Sequence, residues 1–144
     1  GVKLKHNANS ALIRGKKIVL VDDSIVRGTT SLKIVQMMRD AGATEVHMRI
    51  ASPPTKHSCF YGVDTPERSK LLAAQMDVAK MTSYINADSL AFISIDGLYR
   101  AMGDSRNAAA PQRCDACFTG DYPTTLTDCD SDGKPKPLSL VASR

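Results

Sequence analysis

Two adjacent carboxylates, Asp22 and Asp23, are followed by Ser24 and then by Arg27-Gly28-Thr29-Thr30-Ser31. These side chains suit a phosphorylated sugar. Carboxylate oxygens accept hydrogen bonds from vicinal ribose hydroxyls, or hold Mg²⁺, a hard cation that prefers oxygen ligands. The hydroxyls of Ser24, Thr29, Thr30 and Ser31 add donors, and Gly28 lets the backbone come close to a ligand. Arg27 can neutralise phosphate or pyrophosphate; it equally suits a solvated loop charge. Alone, the acidic pair also fits a tight strand-to-helix turn with Asp as turn former and Thr as N-cap.

The other reactive side chains are Cys59, Cys114, Cys117 and Cys129. Cys114-Asp115-Ala116-Cys117 is a C-x-x-C. A thioredoxin-like redox pair is disfavoured, because no strand precedes it and no helix clearly follows. Half of a zinc site lacks its second C-x-x-C or His pair. Half of an iron–sulfur site, with Cys59 joining, is a third reading, and ordinary free thiols are a fourth. His6, His47 and His57 are not read as catalytic. His47 alternates with core residues and should face away from them, and His57 reads as a loop histidine. Asp64 and Asp96 read as turn or cap residues, and Met37, Met38, Met48 and Met81 as core filling.

These residues need an α/β frame. Ile18-Val19-Leu20-Val21 runs apolar without alternation, as in a strand buried on both faces, so a strand is expected over 17–22. Thr29, Thr30 or Ser31 can cap the helix that follows. Leu32, Val35 and Met38, with Ile34 and Ala41 beside them, give it an apolar face, and Gly42 stops it. In Glu45-Val46-His47-Met48-Arg49-Ile50 the apolar residues share one face of a second strand. Strand, helix, strand make one parallel βαβ unit. Short helices are expected near 67–75 and 77–86, the second lined by Val78, Met81 and Ile85. A buried strand follows at Leu90–Ile93, then a helix capped by Ser94 and stopped by Gly103. The acidic pair stands at the carboxyl end of the first strand, where open α/β sheets bind ligands, and the loop opens a helix whose free N–H groups attract phosphate.

The expected organisation is a lead-in over 1–16, an α/β part over 17–103 and an irregular cysteine-bearing tail over 104–144. The tail has lost its periodicity and requires an external staple to be ordered. Gly1 and the mid-chain character of the opening residues suggest a piece of a longer protein. A formal charge of +4, from 19 basic and 15 acidic residues, is too mild and too scattered to imply nucleic acid. The absence of Trp argues against base-stacking platforms. No apolar run reaches the roughly 18 residues of a membrane helix, and no signal peptide opens the chain, so a soluble, cytoplasmic protein is expected.

The string Val19-Leu20-Val21-Asp22-Asp23-Ser24-Ile25-Val26-Arg27-Gly28-Thr29-Thr30 resembles the phosphoribosyl pyrophosphate signature of type I phosphoribosyltransferases. Its wording is similar to the amidophosphoribosyltransferase branch, the glutamine-dependent enzymes that open purine synthesis. The likeness continues through Ser52-Pro53-Pro54, Cys59–Asp64, Asp96-Gly97-Leu98 and Cys117–Pro123, over roughly residues 1–125.

The resemblance implies a partial type I phosphoribosyltransferase fold carrying the ribose-5-phosphate half of a transferase site. Substrate-binding residues would be Asp22, Asp23, Ser24, Ile25, Val26, Arg27, Gly28, Thr29 and Thr30, with Asp22 and Asp23 also serving Mg²⁺. Cys59, Cys114 and Cys117 match three ligands of a structural [4Fe–4S] cluster whose fourth ligand lies upstream. Cys129 does not match, although it could act as an adventitious fourth thiolate. The implied partners are phosphoribosyl pyrophosphate, purine nucleotide feedback inhibitors, an N-terminal glutaminase domain and, at full length, further copies of the chain. The residues from Lys3 to Asn9 would follow the flexible loop that closes over substrate. The chain by itself is expected to lack glutaminase activity and to show little or no transferase activity. Two other classes stay open: a non-catalytic module that senses phosphoribosyl pyrophosphate, and an iron–sulfur structural or electron-transfer protein.

Overall fold

A computed structural model describes residues 8–106, 112–127, 129–130 and 134. Three parallel strands form one sheet in the order β1 (Lys17–Asp22), β2 (Glu45–Ile50), β3 (Ser89–Phe92). The register pairs Ile18 with Val46 and Leu20 with Met48, and Met48 in turn with Leu90. A single helical turn, α1 (Ser10–Ile13), precedes β1 where a loop was expected. Helix α2 (Thr29–Asp40) joins β1 to β2. A 3-10 turn at Arg68–Lys70, α3 (Leu72–Gln75) and α4 (Val78–Tyr84) lead to β3, and α5 (Ile95–Ala101) follows it. The first of the two expected short helices is thus split into a 3-10 turn and one α-turn.

Residue parity explains the core. Val46, Met48, Ile50 and Leu90 point to one side of the sheet, where Val35 and Met38 of α2 meet Met81 and Ile85. Val35, Val46 and Ile85 are fully buried there. Val78 was expected on this face but stands one turn ahead of Met81 at the exposed start of α4. Arg39 ties α2 to the entry of β3: its guanidinium donates to the Asn86 carbonyl at 2.8 Å and to Asp88 at 2.9 Å. Asp88 also accepts the Val46 N–H at 2.6 Å, which fixes the start of β2.

The other side of the sheet is open over β1. β1 alternates exposed and half-buried residues, with Val19 61% and Val21 75% exposed. Its apolar run is suited to two covered faces, but the described residues cover only one. His47 does face away from the core, between Glu45 at 2.9 Å and Ser89 at 2.8 Å.

Where it is described, the tail packs on the loop after β2. The turn α6 (Ala116–Thr119) follows the C-x-x-C start. The Cys117 carbonyl accepts the N–H groups of Lys56 and His57 at 2.9 and 3.0 Å. Tyr122 donates to the Ser58 carbonyl at 2.8 Å and packs against Phe60, with ring centroids 5.1 Å apart. Backbone and aromatic contacts thus join the tail to the loop after β2. Residues 1–7, part of the proposed lead-in, lie outside the described residues.

Candidate functional site

A cavity of about 430 Å³ opens at the carboxyl end of β1. It is lined by the continuous stretch Asp22–Ser31 and closed on one side by Asp64 and Pro66. All nine residues expected to bind substrate therefore border one space. Asp22 ends β1 as Cα partner of Ile50, so the sheet sets its height. Its Oδ1 accepts the Asp23 N–H at 3.0 Å, and Asp23 Oδ1 accepts the Ser24 hydroxyl at 2.7 Å. Among the described residues the second oxygen of each carboxylate has no protein hydrogen bond. Ile25, 2% exposed, anchors the loop in the core, and the Val26 carbonyl accepts the Leu72 N–H at 2.8 Å.

The helix end differs from expectation. Gly28, rather than Thr29, Thr30 or Ser31, is the N-cap of α2, and no side chain caps the helix. The first-turn N–H groups of a helix lack intrahelical partners, and the dipole there is positive, so this end is open to an anion. Gly28 has φ +75°, and a β-carbon there would lie 2.6 Å from Leu72 Cδ2 and 3.0 Å from Tyr84 Cε1. The glycine is thus required by a left-handed backbone and by close packing on α3 and α4. Asp64 was read as a turn or cap residue, whereas the fold makes it part of the cavity wall. Only the long loop after β2 brings it there, so no local spacing could have revealed it.

A second cluster lies at the junction of loop and tail. Cys59 and Cys117 lie on segments joined by backbone hydrogen bonds, and the two thiols influence each other electrostatically. Burial pushes the Cys59 thiol up, but N–H groups of Tyr61, Val63 and Gly62, together with the Cys117 thiol, outweigh it and leave Cys59 below its ordinary value. The Tyr61 N–H is 3.4 Å from the sulfur. Burial, with the neighbouring Cys59 charge, pushes Cys117 up to about 11. Cys114 is exposed but close enough to act electrostatically on Cys117. Cys129 acts in the same way on Tyr122, whose phenol burial pushes up to about 12. His57 packs its ring over Gly120 and takes no part in this cluster's hydrogen bonds.

No protein-family model matches the chain. The amidophosphoribosyltransferase of Rhizobium etli is 63% identical over 145 residues, which cover 99% of this chain. Over nearly all of its length the chain is similar to one part of the amidophosphoribosyltransferases. The Bacillus subtilis relative is 48% identical over 88% of this chain. The chain spans 29% of the Rhizobium and 26% of the Bacillus protein. Among solved structures, the glutamine phosphoribosylpyrophosphate amidotransferase of Bacillus subtilis complexed with ADP and GMP superposes with a TM-score of 0.77 at 48% identity, covering 84% of this chain and 27% of that one. A structure described as the allosteric regulatory enzyme of purine biosynthesis gives 0.76 at 45% identity, over 92% of this chain and 29% of that one. The parallel sheet with its βαβ unit is accordingly a partial phosphoribosyltransferase fold.

Amidophosphoribosyltransferase likeness implies two metal groups, and the donors can be compared with each. The open oxygens of Asp22 and Asp23 are hard donors at a cavity, which suits Mg²⁺ bound through one or two carboxylates with water and ligand oxygens completing the shell. Cys59, whose sulfur accepts the Tyr61 N–H, and Cys117 lie on segments joined by backbone hydrogen bonds, and soft thiolates so placed suit a thiolate-bound cluster. Among the described residues no three His, Cys, Asp or Glu side chains are already gathered around one ion position.

Proposed function

We propose that this chain carries the ribose-5-phosphate half of the transferase site of an enzyme that makes 5-phosphoribosylamine from phosphoribosyl pyrophosphate and glutamine-derived ammonia. The observation that carries this reading is the single cavity bounded by Asp22–Ser31, with two open carboxylates at one end and an uncapped helix N-terminus at the other. The 5-phosphate sits on the N–H groups that follow Gly28, with the hydroxyls of Thr29 and Thr30 at hand. Asp22 and Asp23 accept the ribose hydroxyls, so the ring is held at two ends and C1 is presented to solvent or to an adjoining domain. Ammonia forms the new C1–N bond, the C1–O bond to pyrophosphate breaks with its electron pair, and the surplus ammonium proton leaves to solvent. Asp22 and Asp23 would hold Mg²⁺, which would supply neutralisation of charge on the leaving oxygens. The chain's own contribution is positioning, which can supply a large share of such a barrier.

The same reading places Cys59, Cys114 and Cys117 as ligands of a [4Fe–4S] cluster with a fourth ligand upstream. It places a boundary near residue 103 between the α/β part and the tail, and a glutaminase domain upstream of residue 1. It also holds that the protein acts in the cytoplasm as a homo-oligomer and binds purine nucleotides as inhibitors. Support for the last point is that a similar structure was solved with ADP and GMP.

The test is a chimera in which this chain replaces its counterpart in the Rhizobium etli enzyme. The chimera forms 5-phosphoribosylamine, and replacing Asp22 and Asp23 together by Asn lowers kcat/KM by about 10²–10⁴-fold, since two charged hydrogen bonds are each worth about 1.5–3 kcal/mol. Undiminished turnover in the double variant would refute the assignment. The chain alone shows no glutaminase and little transferase activity; robust product formation by it would refute the division of labour.

A further inference from the structure

Asp115 stands between the two cysteines of the C-x-x-C, yet its side chain is 7% exposed. A carboxylate so buried must be compensated. Arg106 donates to its Oδ2 through Nε at 2.6 Å, and the Tyr99 hydroxyl lies 3.2 Å from the same oxygen. Thr119 Oγ1 is 3.2 Å from Oδ1. Tyr99 is itself 2% exposed and belongs to α5, so this network reaches from the tail into the α/β body. The Asp115 carbonyl accepts the N–H groups of Phe118 and Thr119 at 2.9 and 3.1 Å, which closes α6. Ala116 is buried beside it. With the turn fixed in this way, the Cys117 carbonyl meets the Lys56 and His57 N–H groups, three and two residues before Cys59.

We propose that Asp115 is the positioning residue of the C-x-x-C turn, and that with Arg106 and Tyr99 it seats Cys117 on the loop that carries Cys59 before any metal or cluster is bound. The turn then docks as a metal-free unit. Physical chemistry favours this order. A buried, fully bonded ion pair fixes one geometry, and removing one partner leaves an uncompensated buried charge. The inference does not depend on what the cavity binds.

The Lys56 and His57 amides report the docked state directly, because both donate to the Cys117 carbonyl. Their hydrogen exchange is measured in the full chain, purified anaerobically with chelator so that it is metal-free. We expect protection of about 10²-fold or more at both amides. Asp115→Asn lowers that protection at least about tenfold, while the Met48 amide inside β2 keeps its own. Tyr99→Phe, which removes only a hydroxyl, gives a smaller loss at the same two amides. If Asp115→Asn also strips Met48 of protection, the Tyr99→Phe result decides. Unprotected Lys56 and His57 in the metal-free chain, or protection that arrives only when ferrous iron and sulfide are supplied, would overturn the proposal. So would unchanged protection in both variants, or in Tyr99→Phe where Asp115→Asn unfolds.

Discussion

Replacing Gly28 by Ala tests the geometry of the phosphate loop at its narrowest point. Two costs add. Holding a residue with a β-carbon in the left-handed region costs about 1–2 kcal/mol. The new methyl group would also lie 2.6 Å from Leu72 Cδ2 and 3.0 Å from Tyr84 Cε1. Tyr84 is 41% exposed and can swing aside, but Leu72 is 4% exposed and has nowhere to go. Overpacking of that kind costs about 1–3 kcal/mol. The sum, about 2–5 kcal/mol, is a large part of the roughly 5–15 kcal/mol that stabilises a domain. Thermal unfolding followed by circular dichroism should therefore show a melting temperature lower by about 10 °C. A double-mutant cycle separates the two costs. In a Leu72→Ala background the contact is relieved, so the added cost of Gly28→Ala falls towards the backbone component alone, a coupling of about 1–3 kcal/mol. A melting temperature within about 2 °C of the parent chain, or strict additivity in the cycle, would show that Gly28 is not held by α3.

Two further outcomes follow from other parts of the fold. The Val46 N–H, and then the Arg39 guanidinium, hold the Asp88 carboxyl below its ordinary value of 3.8. A depressed carboxylate contributes stability that is present above its unfolded value and lost as pH falls through its folded value. Asp88→Asn should thus lower the melting temperature at pH 7, with the difference closing in acid as the carboxyl is protonated; a gap that persists once it is protonated would mean that the charge is not the cause. Val19 and Val21 lie exposed on an edge strand, a feature that invites association. Sedimentation of the chain should show concentration-dependent self-association, and Val19→Lys with Val21→Lys should abolish it without lowering the melting temperature; identical sedimentation of the two forms would exclude this face.

Much of the frame was legible locally. Parity placed Val46, Met48 and Ile50 on the core face, because a strand side-chain period of two leaves no other register. Ser94 and Gly103 marked the ends of α5, since their capping geometry is local. Elements held by few contacts were less legible: the segment expected as one helix over 67–75 is broken, and one turn formed in the lead-in. The apolar run of β1 states what it can bury and not what is there to cover it, and the described residues cover one of its faces.

The sequence by itself determined that an acidic pair and a Gly/Thr loop would share the carboxyl end of a strand, because all of those residues are consecutive and the chain can turn only so sharply. It also named the family, through the wording of that stretch. Tertiary structure alone decided three things. Gly28 answers to Leu72 and Tyr84 across the fold, Asp64 closes the cavity, and the tail is seated by Asp115 on Arg106 and Tyr99. Each depends on residues far apart in the chain meeting in a packed interior, where an unfilled bond or a surplus methyl group costs free energy that no local pattern records.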